Sequence, residues 1–189
     1  MATDLQLACE RFDKALLSLL DMNTALREDL DSLLDAYEDD NSNQVLRRSF
    51  VRASWAYVEA ITHAFKCMTS IVANTKGCVL EPKEVAFLEQ SRMDTLTNIK
   101  GIITLVAKVF NVPKRDRGGG TDWRHVEPSI KVRNRLVHPK SVADLQVTDA
   151  EWEVHRNGFV WLVHAFDDLL SDIDDQYSQS HHCSNAPVE

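Results

Sequence analysis

Apolar residues recur at three- and four-residue spacing along nearly the whole chain, and that period restricts the fold to packed helices. Leu5, Ala8, Phe12, Ala15, Leu16, Leu19 and Leu20 form a first stripe. Leu26, Leu30, Leu33, Leu34 and Tyr37 continue it, with a bend expected near Met22-Asn23-Thr24. No long run alternates between apolar and polar residues, and neither Asn-Gly nor Asp-Gly occurs to turn a hairpin, so no strand is expected.

The helix ends are written in polar residues, glycine and proline. The run over residues 38–43 interrupts the first stripe. A second helix carries Phe50, Tyr57, Val58, Ile61, Phe65, Met68 and Val72, and should stop between Asn74 and Gly77, since Asn and Gly suit a C-terminal cap. Pro82 fits the first turn of a third helix, where its missing N–H costs nothing. Leu96, Ile99, Ile103, Val106 and Phe110 give that helix its stripe. Residues 113–120 read as a loop ending in three glycines. A fourth helix begins at Thr121-Asp122 and must stop before Pro139, because a residue preceding proline avoids helical geometry. Thr148-Asp149-Ala150-Glu151 has the S/T-x-x-E form of a capping box and opens a fifth helix, with Trp152, Phe159, Val163, Phe166, Leu170 and Ile173 on one face. The expectation is an all-α antiparallel bundle of four to five helices. One domain spans residues 1–175, a polar tail that frays covers 176–189, and no internal repeat occurs.

Charge narrows the choice of partners. The chain holds 21 Lys and Arg against 29 Asp and Glu, a net −8, which excludes a diffusely basic nucleic-acid coat. The distribution is uneven. Residues 113–140 hold eight bases and three acids, a local +5, and the remainder of the chain is −13. That segment is either a local anion site or a solvated basic face. No apolar run approaches the roughly 20 residues of a membrane helix, and the N-terminus has acids where an export signal would have bases. Cys9, Cys67, Cys78 and Cys183 lack metal-site or disulfide spacing, so the reducing cytoplasm is the expected compartment and no metal or other cofactor is expected. Gly118-Gly119-Gly120 lacks the Lys-Ser/Thr of a phosphate loop, and no nucleophile elbow or zinc-protease motif is present.

The fourth helix carries a charge in an unexpected place. On an ideal helix with Val126 at the origin, Trp123, Ile130 and Val137 fall within about 60° on one side, and Leu136 and Val132 within about 120° on the other. Arg133 falls at about −20°, inside this apolar arc, and Asn134 at about +80°, on its edge. Lys131 and Arg135 occupy the opposite face. A guanidinium on an apolar face needs a partner or a ligand. The bland solutions are a carboxylate from another helix, with Glu59 the candidate, or a stem that snorkels to the bundle edge. His138 lies about 140° around from Arg133 on an ideal helix, but Pro139 forces the chain out of helical geometry there. A histidine suits general acid–base work near neutral pH, and an arginine gives a permanently charged fork for phosphate oxygens. Together they suit phosphodiester cleavage without a metal.

Arg133-Asn134-Arg135-Leu136-Val137-His138-Pro139 resembles the R-[polar]-x3-H motif of HEPN domains, the higher eukaryote and prokaryote nucleotide-binding family. The stretch from Ser49 through Phe50, Val51, Arg52, Ala53, Ser54, Trp55, Ala56, Tyr57 and Val58 to Glu59 is similar to the earlier long helix of some bacterial members. The helical likeness extends over roughly residues 5–173, since the family is a bundle of four or five helices. The resemblance implies a metal-independent endoribonuclease, a toxin or phage-defence effector, acting as a homodimer whose two motifs meet at the interface. Arg133 would then hold the scissile phosphate and His138 would serve as general base or acid. Asn134, in the polar position, would orient the phosphate or His138. RNA or a nucleotide is the implied ligand and a cognate antitoxin protein a further implied partner. Other members bind nucleotides or nucleic acid without cutting, and a purely structural protein-interaction bundle is the third alternative.

The remaining polar residues have two readings each. Arg52, Arg124, Arg135 and Lys140 are candidates for phosphate or RNA contact, with surface charge as the alternative. His63, His155 and His164 fit core or surface positions better than ligation. His181, His182 and Cys183 fall in the polar tail. Asp167, Asp168, Asp172, Asp174 and Asp175 read as the polar side of the fifth helix. Trp55, Trp123, Trp152 and Trp161 are core or interface candidates, any one of which could stack a base.

Overall fold

Helix boundaries follow the local capping chemistry. In the computed structural model, which describes residues 3–90 and 92–183, the Thr3 hydroxyl accepts from Gln6 N and starts α1 (Asp4–Asp39). α1 is helical throughout, including Met22-Asn23-Thr24, where the sequence suggested a bend. The Asn43 side chain accepts from Val45 N and Leu46 N and starts α2 (Gln44–Lys76). Gly77 ends α2 in the left-handed region at φ 61°, a conformation that costs glycine little. The Thr148–Glu151 capping box forms in both directions and opens α6 (Asp149–Cys183). α6 therefore continues beyond Gln176, where the sequence suggested fraying. Tyr177 stacks on Phe12 of α1 at 5.4 Å. Residues 184–189 of the expected tail lie outside the described residues, as do the side chains of His181, His182 and Cys183.

Among the described residues the bundle has six α-helices, because the predicted third helix is two. α3 (Pro82–Glu89) ends at Gln90, whose backbone is extended, and α4 (Thr95–Phe110) begins after Asp94, whose carboxylate accepts from Thr97 N at 2.9 Å. The Lys66 ammonium donates to the Gln90 carbonyl at 2.8 Å, at the break. α3 then lies back on α4 through Phe87 and Gly101. A Cβ at Gly101 would come within 2.3 Å of the Phe87 ring, so the close approach depends on the missing side chain. No Pro or Gly marks residues 90–94, so only the Asp94 cap signalled the break.

α2 is the central helix, packed against α1, α4, α5 (Val126–Val137) and α6. Its buried apolar residues Phe50, Val51, Trp55, Tyr57, Val58, Ile61, Phe65, Met68 and Val72 span an arc of about 160° of the helix. Among the described residues no strand occurs, and no helix is long and apolar enough to cross a membrane. On α1, Phe12, Leu19 and Leu30 enter the core, while Leu20 is left 44% exposed.

The basic segment is largely tied down. Within residues 113–140, Arg115, Arg124, Lys131, Arg133 and Arg135 all form ion pairs with acids. Arg115 joins the loop after α4 to Asp172 of α6, and Arg117 donates to the Lys100 carbonyl and Thr104 hydroxyl of α4. The local +5 is thus not an open patch of unpaired cations.

Candidate functional site

α5 is fixed by its inward face. Val126, Ile130, Val132 and Leu136 are buried, as is Ser129, a polar residue in the middle of the apolar arc. Val137, which the ideal projection places on the same arc, is 43% exposed, because the helix ends at that residue. This seating leaves the Arg133 side chain 22% exposed and turned toward α2. Its Nη2 donates to Glu59 Oε1, and its Nη1 donates to Asn134 Oδ1 at 3.0 Å. Glu59 is 44% exposed, so water screens the pair, which is worth on the order of 1 kcal/mol or less. Its main effect is positional, since one carboxylate and one amide fix the plane of the guanidinium.

His138 occupies the exit of α5. Its N–H donates to the Asn134 carbonyl at 3.0 Å, its backbone leaves the helix at φ −125° and ψ 59°, and its ring is exposed. The structure brings Arg52 to the same exit. Arg52 Nη2 donates to the Leu136 carbonyl at 2.7 Å, satisfying one of the carbonyls a helix end leaves open, at the negative end of the helix dipole. Lys140, two residues after His138, is exposed, and its backbone N–H donates to Asp144 Oδ2. Hydrogen bonds from the Lys140 and Ser141 backbone hold the Asp144 carboxyl below the usual carboxylate range. Among the described residues no hydrogen bond joins Arg133 to His138.

Two other candidates lie elsewhere. Arg124 sits before α5, pairs with Asp122 at 3.9 Å and donates through Nε to His125 Nε2. Arg135 pairs with Glu151 of α6 at 2.8 Å, on a groove with Pro128, Val132 and Val154. Two of the acids of α6 are likewise engaged with arginines, Asp167 with Arg27 at 2.5 Å and Asp172 with Arg115. Among the described residues no three His, Cys, Asp or Glu side chains gather as metal ligands. Trp55 and Trp152 are buried, and Trp123 packs edge-on against Trp161 at 4.9 Å. His63 and His164 are exposed.

His155 is fully buried and has an interior partner that the sequence reading did not identify. Its Nδ1 lies 2.7 Å from Ser129 Oγ, which also accepts from Trp55 Nε1 at 3.2 Å. Burial pushes the imidazole down to about 3, so it is neutral at physiological pH. The signal in the sequence was a serine inside the apolar arc of α5, which needs a polar partner across the core.

No protein-family model matches the chain, and no curated protein and no solved structure matches it.

Proposed function

We propose that the chain is a metal-independent endoribonuclease of the HEPN type, working as a homodimer. The observation that carries this reading is the exit of α5. There an exposed His138 follows a guanidinium oriented by Glu59 and Asn134, and Arg52 brings a second guanidinium to the same helix end. Arg133 is suited to bind the scissile phosphate and offset the charge that develops on it. His138 takes the proton of the ribose 2′-hydroxyl as that oxygen attacks phosphorus. The bond from phosphorus to the 5′-oxygen breaks, and the leaving oxygen takes a proton from the His138 of a second copy. A two-fold axis near this exit supplies that second histidine. Val137 and Val142, 43% and 78% exposed, give the contact an apolar component. The reading further makes the protein a cytoplasmic toxin or phage-defence effector with a cognate antitoxin protein.

The test is cleavage of single-stranded RNA in EDTA. The products carry 2′,3′-cyclic phosphate, and DNA, which lacks the attacking hydroxyl, survives. Cleavage that requires Mg²⁺, or that persists without both Arg133 and His138, overturns the mechanism. Light scattering that reports a monomer at micromolar concentration overturns the dimer. A second reading, a helical binding or protein-interaction domain without catalysis, has the Arg133–Glu59 pair on its side, since the guanidinium is neutralised within one subunit. RNA binding without cleavage favours the binding form of that reading, and neither binding nor cleavage favours the interaction form.

A further inference from the structure

Arg133 and Glu59 also line a groove of about 470 Å³ between α2 and the start of α4, a size within the range of small-ligand clefts. Arg92, from the connection that splits the predicted third helix, adds a second guanidinium. Arg92 is exposed, and its guanidinium forms no hydrogen bond or ion pair among the described residues. Two guanidiniums on one groove suit phosphate oxygens, which accept from planar N–H forks.

The back of the groove has a different chemistry. Thr62 is 1% exposed, and among the described residues its hydroxyl has no hydrogen-bond partner. Asn98 Oδ1 is likewise buried without a partner among them. Native interiors rarely leave such atoms unpaired, and both residues line the groove. An amide sets a donor beside an acceptor, the pattern needed to meet the adjacent donor and acceptor on the edge of a nucleobase. His63 stands at the same groove with a flat ring on which a base can stack.

We infer that this groove seats one nucleoside monophosphate unit, its phosphate on Arg133 and Arg92 and its base edge on Asn98 and Thr62. The inference rests on the reading of Arg133 as a phosphate ligand, and it adds a base-selecting subsite on the α4 side of that residue. The unit is either a free nucleotide or one residue of an RNA strand.

Calorimetry on the full chain tests the seat with AMP, GMP, CMP, UMP, ribose 5-phosphate, inorganic phosphate and a short RNA. At least one nucleotide should bind about tenfold more tightly than ribose 5-phosphate, the margin of one good base contact. Asn98→Ala should erase that margin and leave ribose 5-phosphate binding unchanged. Arg92→Ala, at an exposed position where folding is not at stake, should weaken nucleotide and ribose 5-phosphate alike. Asn98-dependent binding of the monophosphates identifies a free nucleotide, and the same dependence with the RNA alone identifies a residue of a strand. Equal binding of ribose 5-phosphate and every nucleotide, or indifference to both substitutions, overturns the seat. A parallel cleavage assay separates the two ideas. Base-dependent binding without cleavage defeats the ribonuclease reading alone, and cleavage with base-independent binding defeats the seat alone.

Discussion

His155 and His138 are both placed by their relation to α5, and they end in opposite surroundings. His155 reaches α5 from α6 and is enclosed by Phe50, Trp152 and Phe159, with Ser129 on its Nδ1. Trp55 donates to Ser129 Oγ, and among the described residues the second ring nitrogen of His155, Nε2, has no partner. His138 leaves the end of α5 into solvent beside Arg52. The same side chain is a packing element in one place and open to solvent in the other, where the proposed function would use it to carry a proton. The difference is access to water, since a sealed imidazole cannot charge and so cannot exchange protons at neutral pH.

Substitutions can break this contrast, and the largest effect belongs to the exposed histidine. His138→Ala should lower RNA cleavage by roughly 10²–10⁴-fold, the usual loss for a positioned acid or base. Its melting temperature should not move, and Arg133→Ala should be comparably harmful to cleavage. A stability loss with unchanged cleavage would assign His138 to the fold. The buried histidine should show the reverse behaviour. His155→Ala leaves a cavity and strips Ser129 of one of its two partners, and should cost about 2–4 kcal/mol in urea unfolding. Cleavage measured well below the unfolding transition should be retained.

A smaller effect comes from pH. The His155 imidazole titrates near 6.5 when unfolded and at about 3 when folded. Below pH 6.5 the unfolded chain binds a proton that the native chain refuses, so this contribution to stability is full above 6.5 and falls as pH drops toward 3. Between pH 7 and 5 the loss should be about 2 kcal/mol, read as a shift of the urea midpoint. His155→Phe should flatten that slope, and an unchanged slope would place its origin in other groups. The smallest expected effect is on the far side of α5. Arg135→Ala removes a screened pair with Glu151 and should change stability by less than about 1 kcal/mol, with cleavage close to that of the unaltered chain.

Helix identity was legible in the sequence, and the candidate site only in part. Asn43, Gly77, Pro82 and the Thr148–Glu151 box each act on backbone groups within a few residues, so their effect can be read locally. The break at residues 90–94 was hidden because its support is remote: Lys66 from α2 on the Gln90 carbonyl, and Phe87 against Gly101. Arg133, Asn134 and His138 stand out by position on one helix, and Glu59 could be named as a partner because charge on an apolar face demands one. The arrival of Arg52 at the Leu136 carbonyl, and of Arg92 at the Arg133 groove, has no local signature.

The sequence by itself determined where most of the helices start and stop, most of the residues each turns inward, and that an arginine and a histidine share one helix end. Those properties depend on backbone hydrogen bonds and side-chain spacing over a turn or two. Tertiary structure alone decided which histidine is sealed and which is wet, and which distant cations gather around α5. These outcomes depend on how separate helices pack, and the contacts join residues as far apart as Arg52 and Leu136, whose proximity no local period encodes.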